Sequence, residues 1–132
     1  MINRKISFKS ILFELKDLIE DLTEPEFSSY IDGIPNNWNY TTRAKISWCD
    51  RLYIGESDTY LSKRDSENES SYNLLKVLLP EIHKKLLQDY DKTRKYEGYN
   101  LDYEYNIGNI KMQIEKINKY LVLMSSHQSG KK

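Results

Sequence analysis

Only one cysteine, Cys49, occurs in the 132 residues. No disulfide within the chain and no cysteine-based zinc site can form, and a reducing compartment fits that usage. Charge of one dominant sign is also missing, because 20 basic and 20 acidic residues cancel. That balance removes the simple electrostatic case for nonspecific DNA binding or for an acidic mimic of DNA. No apolar run approaches the ~18 to 20 residues that span a bilayer. The N-terminal stretch MINRKISFKSILFELKDL is interrupted by Glu14 and Asp17 before a signal-peptide core develops. The expectation is a soluble, cytoplasmic protein with no membrane partner.

Catalytic vocabulary is equally sparse. Neither G-x-x-x-x-G-K-[ST] nor G-x-G-x-x-G occurs, so no phosphate-cradling loop is expected. The two histidines, His83 and His127, fall at the edge of a helical stripe and in the C-terminal tail. Neither is poised beside a nucleophile in the sequence pattern. No catalytic, cofactor-binding or metal-ligating residue is assigned, and the protein is read as not an enzyme.

Tyrosine, by contrast, is plentiful, with eleven against three phenylalanines. An AT-rich coding bias, suggested by the single alanine, Ala44, and by abundant Lys, Asn and Ile, does not account for that ratio. Four of the tyrosines crowd into TRKYEGYNLDYEYNIGN, residues 93 to 109. A chain of this length buries roughly two-thirds of its unfolded surface as one domain. The expected organisation is one helical domain over 1–125 and a flexible tail over 126–132.

Periodicity favours helices. Phe8, Leu12, Leu15, Ile19 and Leu22 form an apolar stripe that predicts a helix from about 7 to 22. Thr23-Glu24-Pro25-Glu26 has the form of a capping box and predicts a short helix over 24–31. Residues 34 to 42 read as a connector. Trp38, Tyr40, Thr42, Ala44, Ile46 and Trp48 alternate as a half-buried strand would, yet Thr42 can equally cap a helix closing at Gly55. Helix is the favoured reading there, because continued alternation would turn Asp50 inward.

Residues 56 to 71 are polar and aperiodic and read as a loop. Leu75, Leu79, Ile82, Leu86 and Tyr90 mark the next helix, which Pro80 is expected to kink or divide. Tyr103, Ile107, Ile110, Ile114, Ile117, Leu121 and Met124 repeat at four and three, the seam of a helix packed lengthwise. Tyr103 belongs to that seam, whereas Tyr105 points away from it. The fold expected is all-α, a single-domain antiparallel bundle of about four main helices plus one short helix. An α+β fold with a small β-hairpin within 38–54 is the alternative.

Candidate contact residues follow from charge and aromaticity. Residues 14 to 32 hold seven acids against Lys16, whereas residues 111 to 132 hold five lysines against Glu115. Glu14, Asp17, Asp21 and Glu24 are spaced to line one side of the first helix, where their mutual repulsion invites a basic partner. The same row would have to serve any carboxylate-held metal. Tyr99 and Tyr105 are the aromatic contact candidates. Lys84, Lys85, Tyr90, Lys92, Arg94, Lys95 and Tyr96 interleave basic and aromatic groups over 84–99, the ingredients of single-strand stacking. Glu81, Asp89, Asp91 and Glu97 dilute that excess.

The functional expectation is a non-catalytic small binding protein acting by stoichiometric protein-protein interaction. Its class would be a bacterial or phage regulator, inhibitor, immunity protein or accessory subunit of a larger complex. The alternative is a helical subunit that helps bind nucleic acid through the face at 84–99. Self-association through residues 103–124 is a further expectation.

Overall fold

A computed structural model describes residues 6–35, 37–60, 62–95, 98 and 102–129. In chain order the elements are α1 (Phe8–Leu18), β1 (Glu26–Ile34), β2 (Asn37–Trp48), β3 (Arg51–Glu56), α2 (Lys63–Arg94) and α3 (Tyr103–Ser129). The three strands form one antiparallel meander in the order β1-β2-β3. The fold is therefore α+β and not an all-α bundle of four helices. Two compact units divide the chain, one up to Val77 and one from Leu78 onward.

The first unit is built on α1, the sheet and the first half of α2. α1 starts where expected, with the Ser7 hydroxyl accepting the Ser10 N–H at 3.2 Å. It stops at Leu18, four residues before the expected end at 22, and Asp21 turns the chain with φ at 66°. Ile19 and Leu22 stay buried after leaving the helix. The apolar stripe was a record of burial and not of helix length.

The expected short helix over 24–31 is strand β1. Thr23 caps nothing: its hydroxyl accepts the Ser47 N–H at 2.8 Å, and its own N–H donates to the Ser47 carbonyl at 3.1 Å. A side chain that satisfies a helix N-terminus satisfies an open strand end equally well.

The expected helix over 42–55 is also strand. Thr42, Ala44, Ile46 and Trp48 are all buried along one face of β2, and Tyr53 and Gly55 of β3 lie beside Ile46 and Ala44 on that face. The alternation ends at Trp48 because Cys49 and Asp50 form a two-residue turn, with φ at 52° and 63°. Two successive left-handed residues match the twist of a tight hairpin. Asp50 breaks the pattern because it is the turn.

α2 begins at Lys63, inside the stretch expected as a loop. The Ser62 hydroxyl accepts the Asp65 N–H at 3.2 Å and caps the helix. Ser66, Ser70 and Ser71 are buried, and each hydroxyl donates to a carbonyl three or four residues back, to Lys63 or Glu67. Serine that bonds its own helix presents a small, satisfied surface, so a polar composition hid a packing face. The close approach is made possible by Gly55: a Cβ there would overlap backbone atoms of Ser70 and Leu74. Thr42 sits at the same contact, its hydroxyl 2.6 Å from that of Ser66 and 2.8 Å from that of Ser29.

Further along the same unit, Asn68 holds the segment before α1. It accepts the Phe8 N–H at 2.7 Å and donates to the Ile6 carbonyl at 2.9 Å. Phe8 meets Tyr72 edge to face with ring centroids 5.0 Å apart.

The second unit contains the remainder of α2 and all of α3. Pro80 does not divide α2, which runs unbroken to Arg94 with the proline on its exposed side. Leu78, Leu79, Ile82 and Leu86 are buried on α2, and Ile107, Ile117, Tyr120 and Met124 on α3. Of the seam expected on the last helix, Ile107, Ile117 and Met124 are buried and Tyr103, Ile110, Ile114 and Leu121 half-buried, and α3 runs on to Ser129.

Candidate functional site

β1 and β2 continue as a hairpin beyond the part of the sheet that α2 covers. On the covered part the sheet is ordinary core. Along the hairpin the alternation persists while the cover ends, so Ile31 (60% exposed) and Trp38 (44%) face solvent on that side, and Tyr30 (74%) and Ile34 (65%) are exposed on the opposite side. The register places Tyr30 opposite Thr41, Ile31 opposite Tyr40, Gly33 opposite Trp38 and Ile34 opposite Asn37. Ile31, Trp38 and Tyr40 therefore share the face that carries Thr42 and Ala44, while Tyr30 and Ile34 lie on the other face.

Asp32 is the single charged residue between positions 30 and 41. Depletion of charge with enrichment of Tyr, Trp and Ile is the composition of the centre of a protein interface rather than of a solvated strand. The turn that closes the hairpin follows Ile34 at Pro35, and Gly33 just before it has a φ of 118° that suits glycine alone. A Cβ at Gly33 would also strike the Asn37 carbonyl.

The hairpin is braced at its base. Tyr40 and Tyr60 exchange both backbone hydrogen bonds, at 2.6 and 2.9 Å. The Tyr60 hydroxyl donates to the Glu69 carboxylate on α2, and that bond, aided by burial and by the charges of Glu69, Asp58 and Asp65, pushes the Tyr60 pKa up to about 12. The Thr41 and Thr59 hydroxyls lie 3.3 Å apart. Apolar side chains are thus presented on a held strand pair and not on a loose loop, which lowers the ordering cost of binding.

Other surfaces are less suited to chemistry. A polar recess beside the start of α1 is lined by Ser7, Lys9, Arg64, Asp65, Glu67 and Asn68. Its groups serve each other, with Lys9 paired to Glu67 at 3.0 Å and Asn68 bonded to the chain at Ile6 and Phe8. Among the described residues, no three or more His, Cys, Asp or Glu side chains gather where they would hold a metal ion. Within the same residues, no helix is long and apolar enough to cross a membrane.

The acidic row does not form one helical face. Glu14 and Asp17 are exposed on α1, but Asp21 lies in the turn after it and Glu24 in the segment leading to β1. Tyr105 is exposed on the first turn of α3, whereas Tyr96 and Tyr99 fall outside the described residues. Lys84, Lys92, Arg94 and Lys95 are exposed; Lys85 pairs with Asp89 at 3.2 Å, and the Arg94 guanidinium lies 5.9 Å from the Tyr90 ring centroid. The basic face is thus partly engaged by its own helix.

Helical periodicity conceals the hairpin, because Tyr30 and Ile31 follow a capping-box pattern that predicts a helix and Ile34 opens a stretch that reads as a connector, although Trp38 to Trp48 alternate. Two apolar runs flanking Gly33, Pro35 and an Asn pair were the available signal. No protein-family model matches the chain, and no curated protein sequence matches it.

Proposed function

We propose that the protein works without catalysis, as a small cytoplasmic protein that binds another protein stoichiometrically through the β1–β2 hairpin. The observation that carries this reading is the exposure of Tyr30, Ile31, Ile34 and Trp38 together on a braced, nearly uncharged strand pair. Leaving such side chains in water gives up roughly 1.5 to 3 kcal/mol for each large one that a partner could otherwise bury. A regulator, inhibitor or accessory subunit is the functional class that such a surface serves. The single exposed thiol at Cys49 is in keeping with a reducing compartment.

The reading is tested with a tagged wild-type chain and the variant Tyr30→Ser/Ile34→Ser/Trp38→Ser, both verified as folded by circular dichroism. A partner held near one-to-one by the wild type and lost by the variant is the expected result. Equal recovery of every partner by both baits would refute the assignment.

A further inference from the structure

The free edge of β1 narrows the choice of partner. β1 pairs with β2 on one side, and among the described residues nothing pairs with its other side. Which backbone groups face outward follows from β2. Tyr40 bonds to Tyr60, and the Thr42 carbonyl accepts the Ser57 N–H, so even-numbered residues of β2 turn their backbone away from β1. Odd-numbered residues of β2 then bond to β1, engaging Tyr30 with Thr41 and Asp32 with Asn39. Phe27, Ser29 and Ile31 are left with N–H and C=O directed outward, and Gly33 with its carbonyl, since the Asp32 carboxylate already accepts the Gly33 N–H at 2.8 Å.

Such an edge is a template for one more strand. The geometry points to a second copy of this chain as the occupant, its β1 antiparallel to the first about a two-fold axis at Tyr30. This deepens, and rests on, the reading of the hairpin as a protein-binding surface.

Self-complementarity selects that register. With the axis at Tyr30, Ser29 and Ile31 of opposite copies exchange both backbone bonds, and each Phe27 N–H reaches the other Gly33 carbonyl. Across the strands Glu26 meets Ile34, Ser28 meets Asp32 and Tyr30 meets Tyr30, so no like charges oppose. Phe27 lies beside Gly33, where no side chain contests its ring. Moving the axis to Ser29 forms as many bonds but sets Glu26 directly against Asp32 in both halves, which is destabilising. Moving it to Ile31 brings Phe27 against Pro35, which has no N–H to donate. Pro25 and Pro35 bracket β1 and confine pairing to the strand itself. A two-fold pairing of this kind is closed.

The test uses the full chain. Light scattering from low to high micromolar concentration should show the mass rising from one chain to two. Ile31→Pro should stay at one chain with an unchanged melting midpoint, because among the described residues the Ile31 N–H donates to nothing within the protomer. In a Cys49→Ser background, Tyr30→Cys should form an intermolecular disulfide under mild oxidation, since cysteines facing each other in a non-hydrogen-bonded pair approach disulfide geometry. Ser28→Cys, facing Asp32, should not.

A wild-type mass of one chain at every concentration overturns self-pairing, as does an Ile31→Pro variant that folds and still dimerises. Equal cross-linking at positions 28 and 30 overturns the register. Should Ile31→Pro fail to fold, the cysteine pair decides. A monomeric chain whose hairpin substitutions still abolish capture of a different protein overturns self-pairing and leaves the wider binding reading intact.

Discussion

Tyr60 sits where the hairpin base meets α2, and its hydroxyl bond to Glu69 raises its pKa from 10.0 to about 12. Its proton is held more tightly folded than unfolded. The stabilisation is complete below the unfolded pKa near 10 and is lost as pH climbs towards about 12. Thermal melts of the wild type should therefore weaken across that window more than melts of Tyr60→Phe. An ultraviolet titration should show one phenolate forming later in the wild type. Gly55 tests the opposite kind of constraint, steric and not electrostatic. Its α-hydrogen faces backbone atoms of Ser70 and Leu74, and neither backbone can swing aside as a side chain would. Gly55→Ala should lower stability by about 3 kcal/mol in urea denaturation, at the upper end of the usual cost of overpacking. Neither role was visible in the sequence, where Tyr60 lay in an apparent loop and Gly55 read as the end of a helix.

Elements show why some of the structure was legible and some was not. α1 and α3 stood out because each carries a 3.6-residue apolar stripe on an otherwise polar chain, and the stripe is itself the packing face. The sheet was obscured by three local ambiguities. Thr23 and Thr42 are good cap residues that here bond strands, the tight turn is Cys-Asp in place of the usual Asn-Gly, and the packing face over the first turns of α2 is serine. Alternation from Trp38 to Trp48 is the signature of β2, and Asp50 departs from it because it occupies the turn and not because the strand is a helix. The turn supplies its own test. Replacing Cys49 and Asp50 with Asn and Gly puts the two residues that best tolerate left-handed backbone where Cys and Asp now adopt it and should raise stability by about 1 kcal/mol. Along α3, Tyr105→Ala should leave the unfolding midpoint unchanged, because that side chain is 76% exposed.

For the whole molecule, the notable partition is between apolar side chains that fold the chain and those left to solvent. Phe8, Leu12, Leu15, Ile46, Leu74 and Leu75 are fully buried, while the hairpin holds Tyr30, Ile31, Ile34 and Trp38 outside the core. Exposure alone is common on protein surfaces, and Val122 on α3 is exposed to a similar degree as Ile34. The difference is setting: Ile34 stands on a strand pair that exposes Tyr30, Ile31 and Trp38 as well and carries a single charge between positions 30 and 41. A binding function predicts that these two positions behave differently in the cell. The direct measurement places a photo-crosslinking amino acid at position 34 or at position 122 of the expressed chain and compares the adducts after illumination. A discrete adduct from position 34, of one added chain or one other protein, with none from position 122, is the predicted result. No adduct from position 34, or the same adducts from both, would contradict the account.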